Sequence, residues 1–180
     1  MTTSSGQTYL AIPGPSVIPE EVLRSMHRSA PNIYEGELIE ITKSLIPDLN
    51  YVARSSGNVA IYIANGHGIW EAALSNIATA NDHILVVATG RFAHGWAEMA
   101  RKLGIEVDVV DFGKNRALDI EVLAKKLKSE PKTKYKAILM THVDTSTSVK
   151  NDISNIRKKL DEIDCSALLA VDCIASLACD

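Results

Sequence analysis

Short apolar segments alternate with segments of helical periodicity from residue 58 onward, and this alternation constrains the fold more than any other feature. The apolar, β-branched runs lie at 59–64, 83–88, 106–110, 135–140 and 167–171. Helical patterns lie between them at 69–80, 94–103, 120–129 and 152–163. Strands that alternate with helices build βαβ units, and strands that are almost wholly apolar are buried on both faces. The sequence therefore predicts an α/β fold, a mostly parallel sheet with helices on both faces.

The first part of the chain carries a different pattern. Residues 1–18 are predicted to form an extended N-terminal arm, because its Pro13-Gly14-Pro15 motif is incompatible with a helix. Helices are predicted over 16–26 and 36–50, with Pro47 weakening the later half of the second. Residues 19–180 are predicted to form one domain, and that domain is expected to be partial, since the chain ends just after a central strand.

Composition excludes several classes of protein. A net charge of -3 provides no basic surface for nucleic acid or for an anionic membrane. No apolar run approaches the ~20 residues of a membrane helix, and residues 1–9 lack the basic and apolar regions of a signal peptide. The expected compartment is the cytoplasm. Cys165, Cys173 and Cys179 are expected to be buried free thiols, and neither they nor the five histidines have the spacing of a metal site.

Ligands of open parallel sheets bind at the carboxyl ends of the strands, so the segments that follow the predicted strands are the candidates for a site. Asn65, Gly66, His67 and Gly68 follow the first predicted strand and lead into a helix. Small residues and free helix N–H groups there favour a phosphate. A dinucleotide-binding motif is the rival interpretation, although Glu71 stands where its third glycine is needed, and a plain tight turn also stays open.

An aromatic residue follows the second predicted strand. Phe92 could stack on a flat ring, or it could anchor its loop to the core together with Trp96. Trp96 lies deeper in the predicted helix, so anchoring is the favoured interpretation for that residue.

Hydroxyl residues follow the fourth predicted strand, at Thr145, Ser146, Thr147 and Ser148. They could bond a phenolate or phosphate oxygen, or they could cap the next helix. Asp152 is the better candidate for the cap, which leaves these hydroxyls without an obvious structural task.

A carboxylate follows the last predicted strand. Asp172 at the end of a buried strand is costly unless it is paired or hydrogen bonded. A protonated pyridine nitrogen is a suitable partner, and enzymes of pyridoxal 5′-phosphate (PLP) use an Asp in this way. The alternatives are a metal ligand and a buried helix-capping residue.

Five separated motifs occur in an order that resembles the class V aminotransferases of fold type I, and among them the serine–glyoxylate and alanine–glyoxylate aminotransferases. The likeness runs from about residue 11 to the end of the chain. The motifs are Pro13-Gly14-Pro15, Asn65-Gly66-His67-Gly68 with Trp70-Glu71-Ala72-Ala73-Leu74, Thr89-Gly90-Arg91-Phe92-Ala93, Val143-Asp144-Thr145-Ser146, and Val171-Asp172 through Ala175-Ser176-Leu177.

The resemblance implies PLP as the cofactor and a role for each candidate residue. It implies that the loop of Asn65, Gly66 and His67 holds the phosphate and that Phe92 stacks on the pyridine ring. It implies further roles near the ring and the substrate. These are Thr145 near the 3-oxygen, Asp172 against the pyridine nitrogen, and Pro13-Gly14-Pro15 near the substrate carboxylate.

The resemblance also implies a reaction, the transfer of an amino group from serine or alanine to glyoxylate or a similar 2-oxo acid. The full-length enzyme is expected to be a homodimer. The family's Schiff-base lysine lies downstream of the Asp, in a segment beyond Asp180, so this chain alone is expected to be inactive. The alternative is a non-catalytic module that binds PLP or phosphate, or one half of a split protein. Ser148 departs from the family, which commonly has glycine there.

Overall fold

The computed structural model describes residues 10–179, so residues 1–9 of the predicted arm and Asp180 lie outside it. The chain divides into two compact units, Met1–Gly57 and Asn58–Asp180. Each is described by itself.

The first unit holds two helices, α1 at Glu20–Met26 and α2 at Glu37–Ala53. The prediction that the first helix begins at residue 16 was wrong, because Pro19 is the N-cap and keeps an extended ψ of 141°. A proline also disfavours helical geometry in the residue before it. Helix α2 continues through Pro47 and ends at Arg54, which adopts the left-handed conformation.

The second unit is built on a parallel four-stranded sheet in the order β2-β1-β3-β6. Its strands are β1 His83–Ala88, β2 Glu106–Asp111, β3 Tyr135–Thr141 and β6 Leu168–Asp172. Its helices are α3 Gly66–Ile77, α4 Arg91–Lys102, α5 Ile120–Lys128 and α6 Ile153–Glu162. A short antiparallel hairpin, β4 Val143–Asp144 with β5 Val149–Lys150, was not predicted.

The strand predicted at 59–64 was wrong, since the structure assigns no strand to these residues. Ile61, Tyr62 and Ile63 are each more than half exposed. A β-branched sequence forms a strand only when a neighbouring strand supplies the hydrogen-bond ladder, and no such neighbour exists for this segment within residues 10–179.

Alternate residues of β1 enter two separate cores. Ile84 and Val86 pack with Trp70 and Trp96 from α3 and α4, in a cluster completed by residues such as Leu74, Ala97, Ala100 and Leu139. Leu85 and Val87 pack on the opposite face with α5 and α6, through residues such as Leu123, Leu127, Ile156 and Leu160. A strand buried on both faces needs an almost wholly apolar sequence. The predicted fold class, a mostly parallel sheet with helices on both faces, is therefore confirmed.

A polar network joins the sheet to α5. The Tyr135 hydroxyl donates to Asp108 Oδ2 at 2.5 Å, and Lys134 Nζ lies 3.0 Å from the same oxygen. Lys126 Nζ lies 3.5 Å from it and 2.7 Å from Glu130 Oε1. The Tyr135 hydrogen bond, followed by that of Lys134, lowers the pKa of Asp108 to about 2.

This shift predicts that stability depends on pH through Asp108. A lowered pKa in the folded chain stabilises above the unfolded pKa of about 4, and the stabilisation is lost as pH falls through about 2. The side chain is about one third exposed, so after solvent screening we expect a contribution of only about 1 kcal/mol. Urea unfolding should show Asp108→Asn less stable than wild type by that amount at pH 6. The gap should close between pH 4 and pH 2, and a gap that stays constant over this range would contradict the assignment. Tyr135→Phe, which removes the strongest donor, should reduce the same pH-dependent component.

Candidate functional site

The N-terminus of α3 provides free backbone donors. Asn65 is the N-cap, and its side-chain oxygen accepts from the Gly68 N–H at 3.1 Å. This cap starts the helix at Gly66, three residues before the predicted start. The N–H groups of Gly66 and His67 have no acceptor within residues 10–179. Free N–H groups at the positive end of a helix dipole are suited to an anion such as phosphate.

Both glycines of this turn are closely packed. A Cβ on Gly66 would lie 2.9 Å from Ile174 Cδ1, and one on Gly68 would lie 2.6 Å from Ala64 Cβ. Gly66 therefore lies against the Ile174 side chain in the segment that follows β6, whereas a Cβ at Gly68 would collide with Ala64.

Four aromatic rings pack beside the α3 turn. Trp70 stacks on Trp96, with ring centroids 5.6 Å apart and planes 13° apart. His67 meets Trp70 edge-on at 4.6 Å, and Phe92 lies 6.2 Å from Trp70 and 6.4 Å from His67. Trp96 is buried, so its predicted anchoring role is confirmed, whereas Phe92 is half-buried and His67 is exposed.

Asp172 closes the site from the end of β6. Its Oδ2 accepts from Trp70 Nε1 at 3.0 Å, and its Oδ1 accepts from the Ile174 N–H at 2.9 Å. The chain turns after Asp172 without starting a helix within the described residues, so the helix-capping alternative does not apply. Among residues 10–179, no group of three His, Cys, Asp or Glu side chains is placed to hold a metal ion.

A cavity of about 300 Å³ lies between α3 and the end of β6. Gly66 and Trp70 line one side, and Asp172 and Ile174 line the other. Its walls are mostly apolar with one carboxylate, which is typical of a site for a small planar ligand. The sequence-predicted residues Gly66 and Asp172 therefore meet in one cavity. Phe92 does not line this cavity, but its ring packs beside that of Trp70, which does.

A buried carboxylate that the sequence analysis did not single out holds the Phe92 loop. Asp144 is fully buried, and its Oδ2 accepts from the N–H groups of Phe92 at 3.0 Å and Ala93 at 3.4 Å. Its Oδ1 accepts from the Ser146 N–H at 3.0 Å and the Ser146 hydroxyl at 2.6 Å. Asp144 thus caps α4 from another element, with its charge at the positive end of the helix. The one available signal was an acidic residue in an otherwise hydroxyl-rich loop.

The hydroxyl residues of the β4–β5 hairpin have structural tasks, contrary to the prediction. Ser146 Oγ accepts from the Arg91 N–H at 2.9 Å, and Thr147 Oγ1 donates to the Thr89 carbonyl at 3.0 Å. The Thr145 hydroxyl, by contrast, has no partner within the described part of the chain. Ser148 has a φ of +59°, a conformation that favours glycine. Asp152 caps α6 through the Asn155 N–H at 2.9 Å, as predicted.

Two further groups of residues were singled out from the sequence, the Pro13-Gly14-Pro15 motif and the cysteines. Pro13-Gly14-Pro15 lies exposed in the first unit, and its predicted substrate role stays a prediction. Burial, and next the charge of Asp172, raise the pKa of the Cys173 thiol, which keeps it protonated. The expectation that the three free thiols are buried was wrong, since Cys165 and Cys173 are half-buried and Cys179 is exposed.

Comparisons with known proteins define the family. The model of the family Aminotransferase class-V matches residues 50–178. The chain is 35% identical to a serine–glyoxylate aminotransferase of Arabidopsis thaliana, over 96% of this chain and 43% of that protein. It is 29% identical to an L-aspartate–glyoxylate aminotransferase of Paracoccus denitrificans, over 96% of this chain and 44% of that protein. The crystal structure of an alanine–glyoxylate aminotransferase from Nostoc sp. superposes with a TM-score of 0.85 at 22% identity, covering 98% of this chain and 46% of that one.

The match extends over most of this chain but only part of its relatives. The chain spans less than half the length of the curated proteins it matches. None of the helices in residues 10–179 combines the length and the apolar character needed to cross a membrane. The chain belongs to the aminotransferase class-V family.

Proposed function

We propose that this chain forms the PLP-binding part of an aminotransferase that passes an amino group from serine or alanine to glyoxylate or a similar 2-oxo acid. The observation that carries the proposal is the cavity that unites Asp172 with the free N-terminus of α3. A phosphate site and a carboxylate on opposite walls of a small apolar cavity match the two ends of PLP. The relatives named for glyoxylate aminotransfer support the reaction class.

The residues present fit the cofactor. The N–H groups of Gly66 and His67, together with the Asn65 cap, would hold the phosphate. Phe92 would stack on the ring, and the partnerless Thr145 hydroxyl would donate to the 3-oxygen. When bound, PLP supplies an electron sink for the carbanion that an amino acid forms on losing its α-proton.

Asp172 keeps the electron sink effective by holding a proton on the pyridine nitrogen. Its carboxylate has only the Trp70 and Ile174 N–H groups as partners within residues 10–179, and each oxygen keeps accepting capacity. A partly buried carboxylate that accepts hydrogen bonds only from two neutral donors is stabilised by a cationic partner, because its negative charge is otherwise not compensated.

The apolar walls beside Asp172 strengthen this interaction. Ile69, Ala73 and Val171 line the same cavity, and a ligand seated there would separate the carboxylate from bulk water. An ion pair attracts more strongly where water is excluded, because the local dielectric constant is lower.

Serine is the amino donor that we propose first, since the Arabidopsis relative at 35% identity is named for it. Pro13-Gly14-Pro15 is proposed to lie near the substrate carboxylate in the whole protein, as the family resemblance implies. We also propose that the whole protein is a cytoplasmic homodimer, and that turnover belongs to it and not to this chain, which covers under half of its relatives.

The experiment is a titration of the 180-residue chain with pyridoxamine 5′-phosphate (PMP), followed by isothermal calorimetry. PMP is preferred because it lacks the aldehyde with which PLP reacts at any exposed lysine. We expect saturable 1:1 binding, and weakening of about 2- to 12-fold in Phe92→Leu, because the stacking contact contributes about 0.5–1.5 kcal/mol. Phe112→Leu is the control, because Phe112 packs in the other core, and PMP affinity should be unchanged. A wild-type chain that binds NAD but not PMP would contradict the proposal.

A further inference from the structure

We infer that Trp70 is a positioning residue, whose indole N–H fixes the Asp172 carboxylate against the ring nitrogen of the cofactor. This inference rests on the proposed function and adds a residue for which no role has been assigned. The bond from Trp70 Nε1 to Asp172 Oδ2 measures 3.0 Å and joins residues 102 positions apart in the sequence. It is the only side-chain hydrogen bond to Asp172 within residues 10–179.

The two hydrogen bonds to Asp172 fix its orientation. Oδ2 is bonded by the Trp70 side chain and Oδ1 by the Ile174 backbone, so rotation of the carboxylate would break both bonds. The backbone donor is local and belongs to the turn after β6. The Trp70 donor comes from α3, the helix whose N-terminus is proposed to hold the phosphate. One rigid side chain thus connects the sites proposed for the two ends of the cofactor.

Packing holds the Trp70 ring in place before any ligand binds. The ring is only 5% exposed, lies flat against Trp96 and meets His67 edge-on. A donor that is already immobilised loses little conformational entropy when the cofactor binds, which is the advantage of a preorganised site.

Trp96 shows that packing does not require such a hydrogen bond. It is the other half of the same stacked pair and is equally buried, yet its Nε1 has no partner within the described residues. The chain therefore contains a matched pair of indoles, of which one N–H contacts the carboxylate and the other does not.

The test compares Trp70→Phe with Trp96→Phe in the 180-residue chain. Phenylalanine keeps an aromatic ring and removes only the N–H and part of the packing area. Two ligands are titrated by calorimetry, PMP and its carbocyclic analogue in which CH replaces the ring nitrogen. We expect Trp70→Phe to weaken the binding of PMP about 10-fold, because the lost hydrogen bond orients the charged carboxylate that is proposed to contact the ring nitrogen. Binding of the analogue should weaken less than about 2-fold, because the analogue has no ring nitrogen for that carboxylate to contact. Trp96→Phe should change both affinities by the same factor.

A second readout examines the hydrogen bond without ligand. In the ¹H–¹⁵N spectrum of the chain, Asp172→Ala should move the Trp70 indole resonance and speed its hydrogen exchange, and it should leave the Trp96 resonance in place. Equal weakening of both ligands by Trp70→Phe, or an unmoved Trp70 resonance, would overturn the inference while leaving PLP binding intact. A wild-type chain that binds neither ligand would instead overturn the proposed function, and the positioning role with it.

Discussion

Gly90→Ala is expected to lower the free energy of unfolding by about 3–5 kcal/mol, the largest effect on stability that a single methyl group should have in this chain. An added Cβ would lie 2.3 Å from Asp144 Cγ and 2.4 Å from Oδ1. The carboxylate cannot move aside, because it is fully buried and accepts hydrogen bonds from Phe92, Ala93 and Ser146. If the carboxylate shifted, buried N–H groups would lose their acceptors, and this desolvation cost would add to the cost of the steric clash.

Urea unfolding followed by circular dichroism measures this effect, and two further variants define its cause. Gly95→Ala lies in the same helix, where a Cβ would make an ordinary 3.5 Å contact with Trp70. It should stabilise the chain by about 0.5–1 kcal/mol through helix propensity. The double variant Gly90→Ala with Asp144→Ala should be no less stable than Asp144→Ala alone, because the obstructing carboxylate is gone. Additive losses in the double variant would show that the strain at Gly90 does not come from Asp144.

The sequence predicted best those strands that are covered by helices on both faces. The run at 83–88 is apolar on both faces because each face of β1 meets a helical layer, and it became a strand with the predicted bounds. The run at 59–64 is similarly rich in apolar and β-branched residues, yet it forms no strand. The composition of a segment shows that it could form a β-strand. Whether it does depends on a neighbouring strand with which it can hydrogen bond, and the local sequence does not reveal that strand.

The candidate site divides in the same way. The Asn65 side chain caps α3 through a residue three positions away, a local pattern that a sequence can show, although the start of α3 was still placed three residues too late. The cap of α4 comes from Asp144, 52 residues from Phe92, so no spacing rule could indicate it, and the start of that helix was placed three residues too late. The hydrogen bond between Trp70 and Asp172 also joins residues that are distant in the sequence, so no spacing rule could indicate it either. A family motif marked each of these residues as a member of a pattern, but only the fold shows which pairs meet.

Asp144 and Asp172, both in the second unit, differ in a way that bears on function. Asp144 is saturated, with four hydrogen bonds from backbone and hydroxyl donors. Asp172 has two donors and faces a cavity. A saturated buried carboxylate stabilises a loop, whereas one with spare accepting capacity beside a cavity is available to a ligand. This difference is why the proposed cofactor contact is assigned to Asp172 and the structural role to Asp144.

Asp172→Asn is accordingly expected to weaken PMP binding about 10- to 150-fold at pH 7, the largest effect on binding of any single substitution proposed for this chain. Asparagine keeps the shape of the side chain and one accepting oxygen, so the substitution removes the charge and one of the two hydrogen bonds, that from Trp70 or that from Ile174. A hydrogen bond to a charged group contributes about 1.5–3 kcal/mol, which corresponds to that range of affinity. Calorimetry with PMP measures the loss, and the carbocyclic analogue without a ring nitrogen should bind wild type and variant equally.

Asp111→Asn is the matched control, since Asp111 also ends a strand of the parallel sheet but is exposed and pairs with His94 at 3.1 Å. Its PMP affinity should stay within about 2-fold of wild type, because Asp111 does not line the cavity that holds Asp172. An unchanged affinity in Asp172→Asn would mean that the carboxylate does not contact the ring nitrogen. Its two hydrogen bonds would then serve only to hold the turn after β6 against α3. The proposed contacts of the cofactor would be reduced to the anion site at the α3 N-terminus, Phe92 and Thr145.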